Sequence, residues 1–90
     1  MKRVSQTRQF SLDIKRMRKR GKDLHLLQEV VKLLAEGTPL PASHRDHPLI
    51  GPWLPSGDCH IEVDWILIYT VEKDSLRLER TGTNSDLFKK

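Results

Sequence analysis

Asp58-Cys59-His60-Ile61-Glu62-Val63-Asp64-Trp65-Ile66-Leu67-Ile68-Tyr69-Thr70-Val71 is the stretch on which the fold turns. It is rich in β-branched and aromatic residues and its period is two, a combination that fits strand. A turn near Glu62 to Asp64 would divide it into a β-hairpin of residues 59–63 and 65–71; one uninterrupted strand is the competing reading. Lys73-Asp74 then signals a second turn. After it, Leu76, Leu78 and Arg80 are expected on one face of a third strand, with Arg77, Glu79 and Thr81 on the other. That strand should end at Gly82.

Upstream the period becomes helical. Thr7 is a candidate N-cap, Phe10, Ile14 and Met17 share one stripe, and Gly21 closes the segment. A second helix is predicted to start near Asp23, with Leu24, Leu27, Val31 and Leu34 aligned and Val30 beside them, and to stop at Gly37 ahead of Pro39. All five prolines and three of the glycines lie in residues 37–57, which reads as an irregular loop. Residues 1–6 allow a short strand, although their alternation is poor. The order helix, helix, strand, strand, strand makes an α+β fold of one domain, residues 1–90.

Composition narrows the class. Hydrophobic residues at 37 % and charged residues at 31 % suit a soluble protein. The longest apolar run, Trp65 to Tyr69, is far short of the roughly 20 residues that span a bilayer, and the charged start of the chain lacks the apolar stretch of a secretory signal. Cys59 is the sole cysteine, so no internal disulfide is possible and a cytoplasmic location is expected. The net charge of +4 is unevenly spread: residues 1–22 hold nine Lys and Arg against Asp13 alone, a balance of +8, which leaves −4 for residues 23–90. The run Lys15-Arg16-Met17-Arg18-Lys19-Arg20 is more one-sided than solubility requires, and such a block attracts polyanions by counterion release. A solvated helix face is its bland reading.

Proton-transfer and anion-binding groups collect in the second half. Cleaving an RNA phosphodiester without metal requires a base for the ribose 2′-hydroxyl, an acid for the departing 5′-oxygen, and a cation for the extra charge on phosphorus. His47 and His60 can serve as base and acid near neutral pH, Asp64 can orient a histidine or accept a proton, and Arg80 can bind phosphate. Trp65 and Phe88 offer rings for base stacking. Each also has a structural reading: His60 half-buried in a sheet, His47 bonded to loop backbone, Asp64 a turn residue, Arg80 in an internal salt bridge, Trp65 in the core. A metal site is disfavoured, because the four-residue spacing of His60 and Asp64 separates them by about 13 Å on a strand. No phosphate-cradling glycine loop is present, and no cofactor is expected.

With these residues assembled, the sequence resembles the RelE/ParE superfamily of toxins and most closely the YafQ-type mRNA interferases of bacterial toxin–antitoxin pairs. The likeness rests on Asp46-His47-Pro48-Leu49 followed by Gly51 and Trp53, on His60 through Tyr69, and on Glu79-Arg80-Thr81-Gly82-Thr83 ending in Leu87-Phe88. It implies a RelE-like β-α-α-β-β-β fold, with two N-terminal helices packed on a small antiparallel sheet and a short C-terminal turn or helix. It also implies metal-free cleavage of mRNA in the ribosomal A site, a cognate antitoxin, and a toxin–antitoxin complex on operator DNA. By position His47, His60 and Asp64 match catalytic residues, Arg80 the phosphate-stabilising arginine, and Trp65 and Phe88 active-site aromatics. Asn84 departs from the pattern, since YafQ-type toxins carry histidine there within Thr-Gly-Thr-His. An amide hydrogen-bonds but does not exchange a proton near neutrality, so an attenuated or inactivated enzyme is implied. Arg16, Arg18 and Lys19 are the expected contacts to ribosomal RNA. Two alternatives remain: a ParE-like inhibitor of DNA gyrase acting by protein binding, and a non-catalytic nucleic-acid-binding protein.

Overall fold

Along the chain run β1 (Arg3–Gln6), α1 (Arg8–Lys19), α2 (Leu24–Glu36), a single 3-10 turn (Ala42–His44), β2 (His47–Pro48), β3 (Gly57–Glu62), β4 (Trp65–Val71), β5 (Ser75–Gly82) and α3 (Asn84–Phe88). The structure is a computed structural model, and the residues described are 1–44, 47–48 by backbone alone, and 56–88. Asp46, Leu49, Gly51 and Trp53, which carry part of the resemblance, lie outside the described residues, as does the side chain of His47.

Both long helices begin and end where their caps dictate. The Thr7 hydroxyl accepts from the Phe10 N–H (3.0 Å) and donates to the Glu79 carbonyl (2.7 Å), which fixes the start of α1 against β5. Gly21, at φ 80°, ends α1 with the Lys22 N–H donating to the Met17 carbonyl (3.1 Å). In α2 the Asp23 carboxylate accepts from the His25 N–H (3.0 Å), and Gly37 at φ 75° closes the last turn. Phe10, Met17, Leu27, Val30 and Leu34 pack onto Cys59, Ile61, Trp65, Leu67, Tyr69, Leu76 and Leu78, one face of the sheet. On the opposite face Ile66, Ile68 and Leu87 form a smaller cluster, with Phe88 half-buried against it.

The strand order is β1-β5-β4-β3-β2. The stretch 58–71 is a hairpin, β3 and β4, turning at Val63-Asp64. Three expectations are corrected. First, β1 pairs parallel with β5, so the sheet is mixed; the two helices and the intervening strands supply the long connection that parallel pairing demands. Second, the irregular loop contains β2, antiparallel to the start of β3. Third, the β4–β5 register steps from Tyr69↔Leu78 to Ile68↔Arg80, so Glu79 is an extra residue in a β-bulge. Alternation slips there, and Arg80 leaves the face of Leu76 and Leu78.

Candidate active site

Residues opposite each other on paired strands share a face. One row therefore crosses β2 to β5 as His47↔Asp58, Asp58↔Ile68 and Ile68↔Arg80, and the next runs His60↔Ile66 and Ile66↔Gly82. Ile66 and Ile68 belong to the cluster beneath α3, so the backbone positions of residues 47, 60 and 80 all lie on the face away from α1 and α2. The bulge at Glu79 brings Arg80 onto that face. Three strand spacings of about 4.8 Å separate the ends of the first row by about 14 Å, a gap that long side chains and a substrate must close together.

Arg80 is held from behind. Its Nε donates to Asp13 Oδ2 (2.7 Å) and its Nη2 to Asp13 Oδ1 (3.2 Å), which is the internal salt bridge. The Asp13 carboxylate is buried, and it also accepts from the Thr81 N–H (3.1 Å) and from Arg16. Hydrogen bonding to Asp13, with the nearby Asp86 charge adding, raises the Arg80 pKa further above its ordinary value, so the guanidinium is permanently charged. Its side chain keeps 25 % exposure. Among the described residues Nη1 has no hydrogen bond, so that edge can meet an anion.

Asp64 is engaged by residue 84. Its Oδ1 accepts from both the backbone N–H (3.0 Å) and the Nδ2 (3.1 Å) of Asn84. His60 instead places Nδ1 3.2 Å from the Val63 carbonyl. A carbonyl only accepts, so Nδ1 carries the proton, and in the neutral ring Nε2 is the basic nitrogen. His44 places its Nδ1 2.6 Å from the His60 carbonyl and so pins the turn before β2 to the edge of β3. The two histidines share a cleft of about 290 Å³ with Ser43, Ile61, Glu62 and Val63. A larger cleft, about 520 Å³, runs between β1, α1 and α2 on the other side of the sheet and holds no acid–base pair.

The aromatics and the basic helix divide. Trp65 is 0 % exposed, and its indole N–H donates to the Thr81 hydroxyl (2.8 Å), which is the core reading of this residue. Phe88 remains half-buried at the edge of α3. Arg16 is spent on Asp13, and Arg20 chelates Asp86 (2.6 and 3.0 Å), whereas Arg18 and Lys19 are exposed. No group of three or more His, Cys, Asp or Glu among the described residues forms a metal site. Sequence reasoning missed two members. Asp13 was visible as the lone acid within the Phe10–Met17 stripe; His44 carried no signal beyond being three residues from His47.

The family described as bacterial toxin of type II toxin-antitoxin system, YafQ, matches the chain over residues 2–89. The mRNA interferase toxin YafQ of Escherichia coli strain K12 is 49 % identical over 81 residues, covering 89 % of this chain and 88 % of that protein. The crystal structure of the E. coli DinJ–YafQ complex superposes with a TM-score of 0.91 at 44 % identity, covering 98 % of this chain and 99 % of the other. YafQ from E. coli strain BL21(DE3) gives a TM-score of 0.92 at 45 % identity, with coverage of 98 % and 99 %.

Proposed function

Because the chain belongs to the YafQ family of toxins from bacterial type II toxin–antitoxin systems, we propose that it cuts messenger RNA in the ribosomal A site, without metal, on the sheet face beneath α3. It is an mRNA interferase toxin, an endoribonuclease, and its partner is a cognate antitoxin, as DinJ is in the E. coli complex. The ribosome is the docking partner through the exposed cations of α1, and the toxin–antitoxin pair binds operator DNA. The site of action is the cytoplasm, where ribosomes and messenger RNA are found.

The register that aligns positions 47 and 80 in one row and 60 in the next carries this reading. A base, His47 or His60, takes the 2′-hydroxyl proton. The freed oxygen bonds to the adjacent phosphorus, the bond to the 5′-oxygen breaks, and the other histidine returns a proton to the leaving oxygen beside the Asp64–Asn84 pair. Nη1 of Arg80 meets the charge gathering on the phosphoryl oxygens. Phe88 supplies a ring edge for the neighbouring base. Asn84 donates to Asp64 but cannot deliver a proton at neutral pH, so this chain is attenuated at that step.

Primer extension on messenger RNA, translated and naked, tests the reading. Cuts confined to one codon position and seen only during translation are expected. Equal cutting of naked RNA would remove the A site from the account.

A further inference from the structure

Asp13 is the most deeply buried carboxylate whose hydrogen bonds are described, at 1 % exposure, and no proton-transfer step uses it. Burying an ionised carboxylate is costly unless charge and hydrogen bonds compensate it, and here the compensation is specific. The β1–β5 pairing stops at Gln6↔Leu78. Beyond it α1 lies along the open edge of β5, where Asp13 takes the Thr81 N–H (3.1 Å) that a further strand residue would have taken. The same two oxygens grip the Nε and Nη2 edge of Arg80 (2.7 and 3.2 Å), one oxygen per nitrogen. A guanidinium held side-on in this way has its plane and its remaining edge fixed.

We propose that Asp13 is a positioning residue for RNA cleavage: anchored at the sheet edge, it holds the Arg80 guanidinium so that the Nη1 edge faces the scissile phosphate. This rests on the reading of Arg80 as the phosphate-binding group. Arg16 completes the device. By also pairing with Asp13 it leaves the trio Asp13, Arg16 and Arg80 with net charge +1, so anchoring does not abolish attraction for an anion. The bulge at Glu79 is the third part, because without it Arg80 would share the sheet face of Leu76 and Leu78.

A double-mutant cycle on programmed ribosomes tests the inference, with single-turnover rates measured at saturating toxin for the wild-type chain, Asp13→Asn, Arg80→Ala and the double variant. Asparagine keeps an acceptor for the Thr81 N–H but loses the charge. The expected result is a loss of about 10- to 100-fold in rate for Asp13→Asn with ribosome affinity unchanged, and no further loss when it is added to Arg80→Ala. Losses that multiply across the two backgrounds would show that Asp13 serves the fold alone and would overturn the proposal. A wild-type rate for Asp13→Asn alongside a slow Arg80→Ala overturns the positioning role only, while a wild-type rate for Arg80→Ala overturns the phosphate-binding reading beneath it. Should Asp13→Asn not fold, Asp13→Glu carries the same cycle, since it retains the charge and displaces the carboxylate by one methylene.

Discussion

Asn84 donates twice to one oxygen of Asp64, which makes the pair a preformed socket for a histidine. In Asn84→His an imidazole would sit within reach of that carboxylate, whose charge favours the protonated ring and raises its pKa above the ordinary value of about 6.5. Such a ring is suited to donate to the leaving 5′-oxygen. The variant is expected to cleave about 10² to 10⁴ times faster, with the gain fading as pH rises through the imidazole pKa. Superimposable pH–rate profiles for the two forms would remove residue 84 from the chemistry. Trp65 gives the opposite kind of prediction. Trp65→Phe removes the donor to a buried hydroxyl that itself donates to the Ile66 carbonyl (2.8 Å). It should cost about 1 to 3 kcal/mol, seen as a lower melting temperature, and leave substrate affinity intact. Weakened RNA binding at unchanged stability would return Trp65 to the site. At this scale the sequence conveyed the residue types but not their partners. The link from Asp13 to Arg80 joins α1 to the end of β5, and no local pattern encodes it.

Element boundaries were more legible, because caps are local chemistry: Thr7, Gly21, Asp23 and Gly37 each mark a helix end within a few residues of the sequence pattern. The bulge at Glu79 and the two-residue β2 were not, since both arise from how neighbouring strands meet. The short α3 is the clearest case of an element that tertiary contacts sustain. Five residues cannot hold a helix in water unaided. The Asp86 carboxylate accepts from the Thr83 N–H (2.9 Å), the Asp86 N–H donates to the Thr83 hydroxyl (3.1 Å), and Arg20 clamps the carboxylate from α1. Gly82 is needed for this approach, since a Cβ there would lie 2.9 Å from Asp86 Oδ2. Hydrogen bonding from Arg20, helped by Thr83 and opposed by burial, holds the Asp86 pKa well below the usual carboxylate range. A carboxylate depressed in the folded state stabilises fully above its unfolded pKa, about 3.9, and loses that contribution as pH falls through the folded value. Arg20→Ala is therefore expected to lower stability by about 1 kcal/mol at neutral pH, a modest figure because the Arg20 side chain is 39 % exposed. Denaturant titrations of the two proteins should converge in strong acid; a difference that persists there would assign the loss to packing of the arginine stem.

At the scale of the whole molecule, the +8 of residues 1–22 is sorted by function. Arg16 and Arg20 are paired with Asp13 and Asp86 and brace the β5 end and α3. Lys15, Arg18 and Lys19 are exposed along α1, against a remainder of the chain that is net negative, so a polyanion meets an oriented charge distribution. This sorting separates two outcomes that charge reversal along α1 would otherwise blend. Arg18→Glu with Lys19→Glu should weaken ribosome binding strongly at low salt and hardly at all at high salt. The slope of log K against log salt should flatten by about one for each phosphate contact removed, with the melting temperature unchanged. Arg16→Glu should behave differently, because it sets a second carboxylate beside buried Asp13 and strips Arg80 of its neutralised anchor. Its signature is a lower melting temperature and slower cleavage on ribosomes already bound, at any salt concentration. If Arg18→Glu with Lys19→Glu instead leaves the salt slope untouched, the outer cations of α1 form a solvated face, and docking must come from the rim of the cleavage face itself.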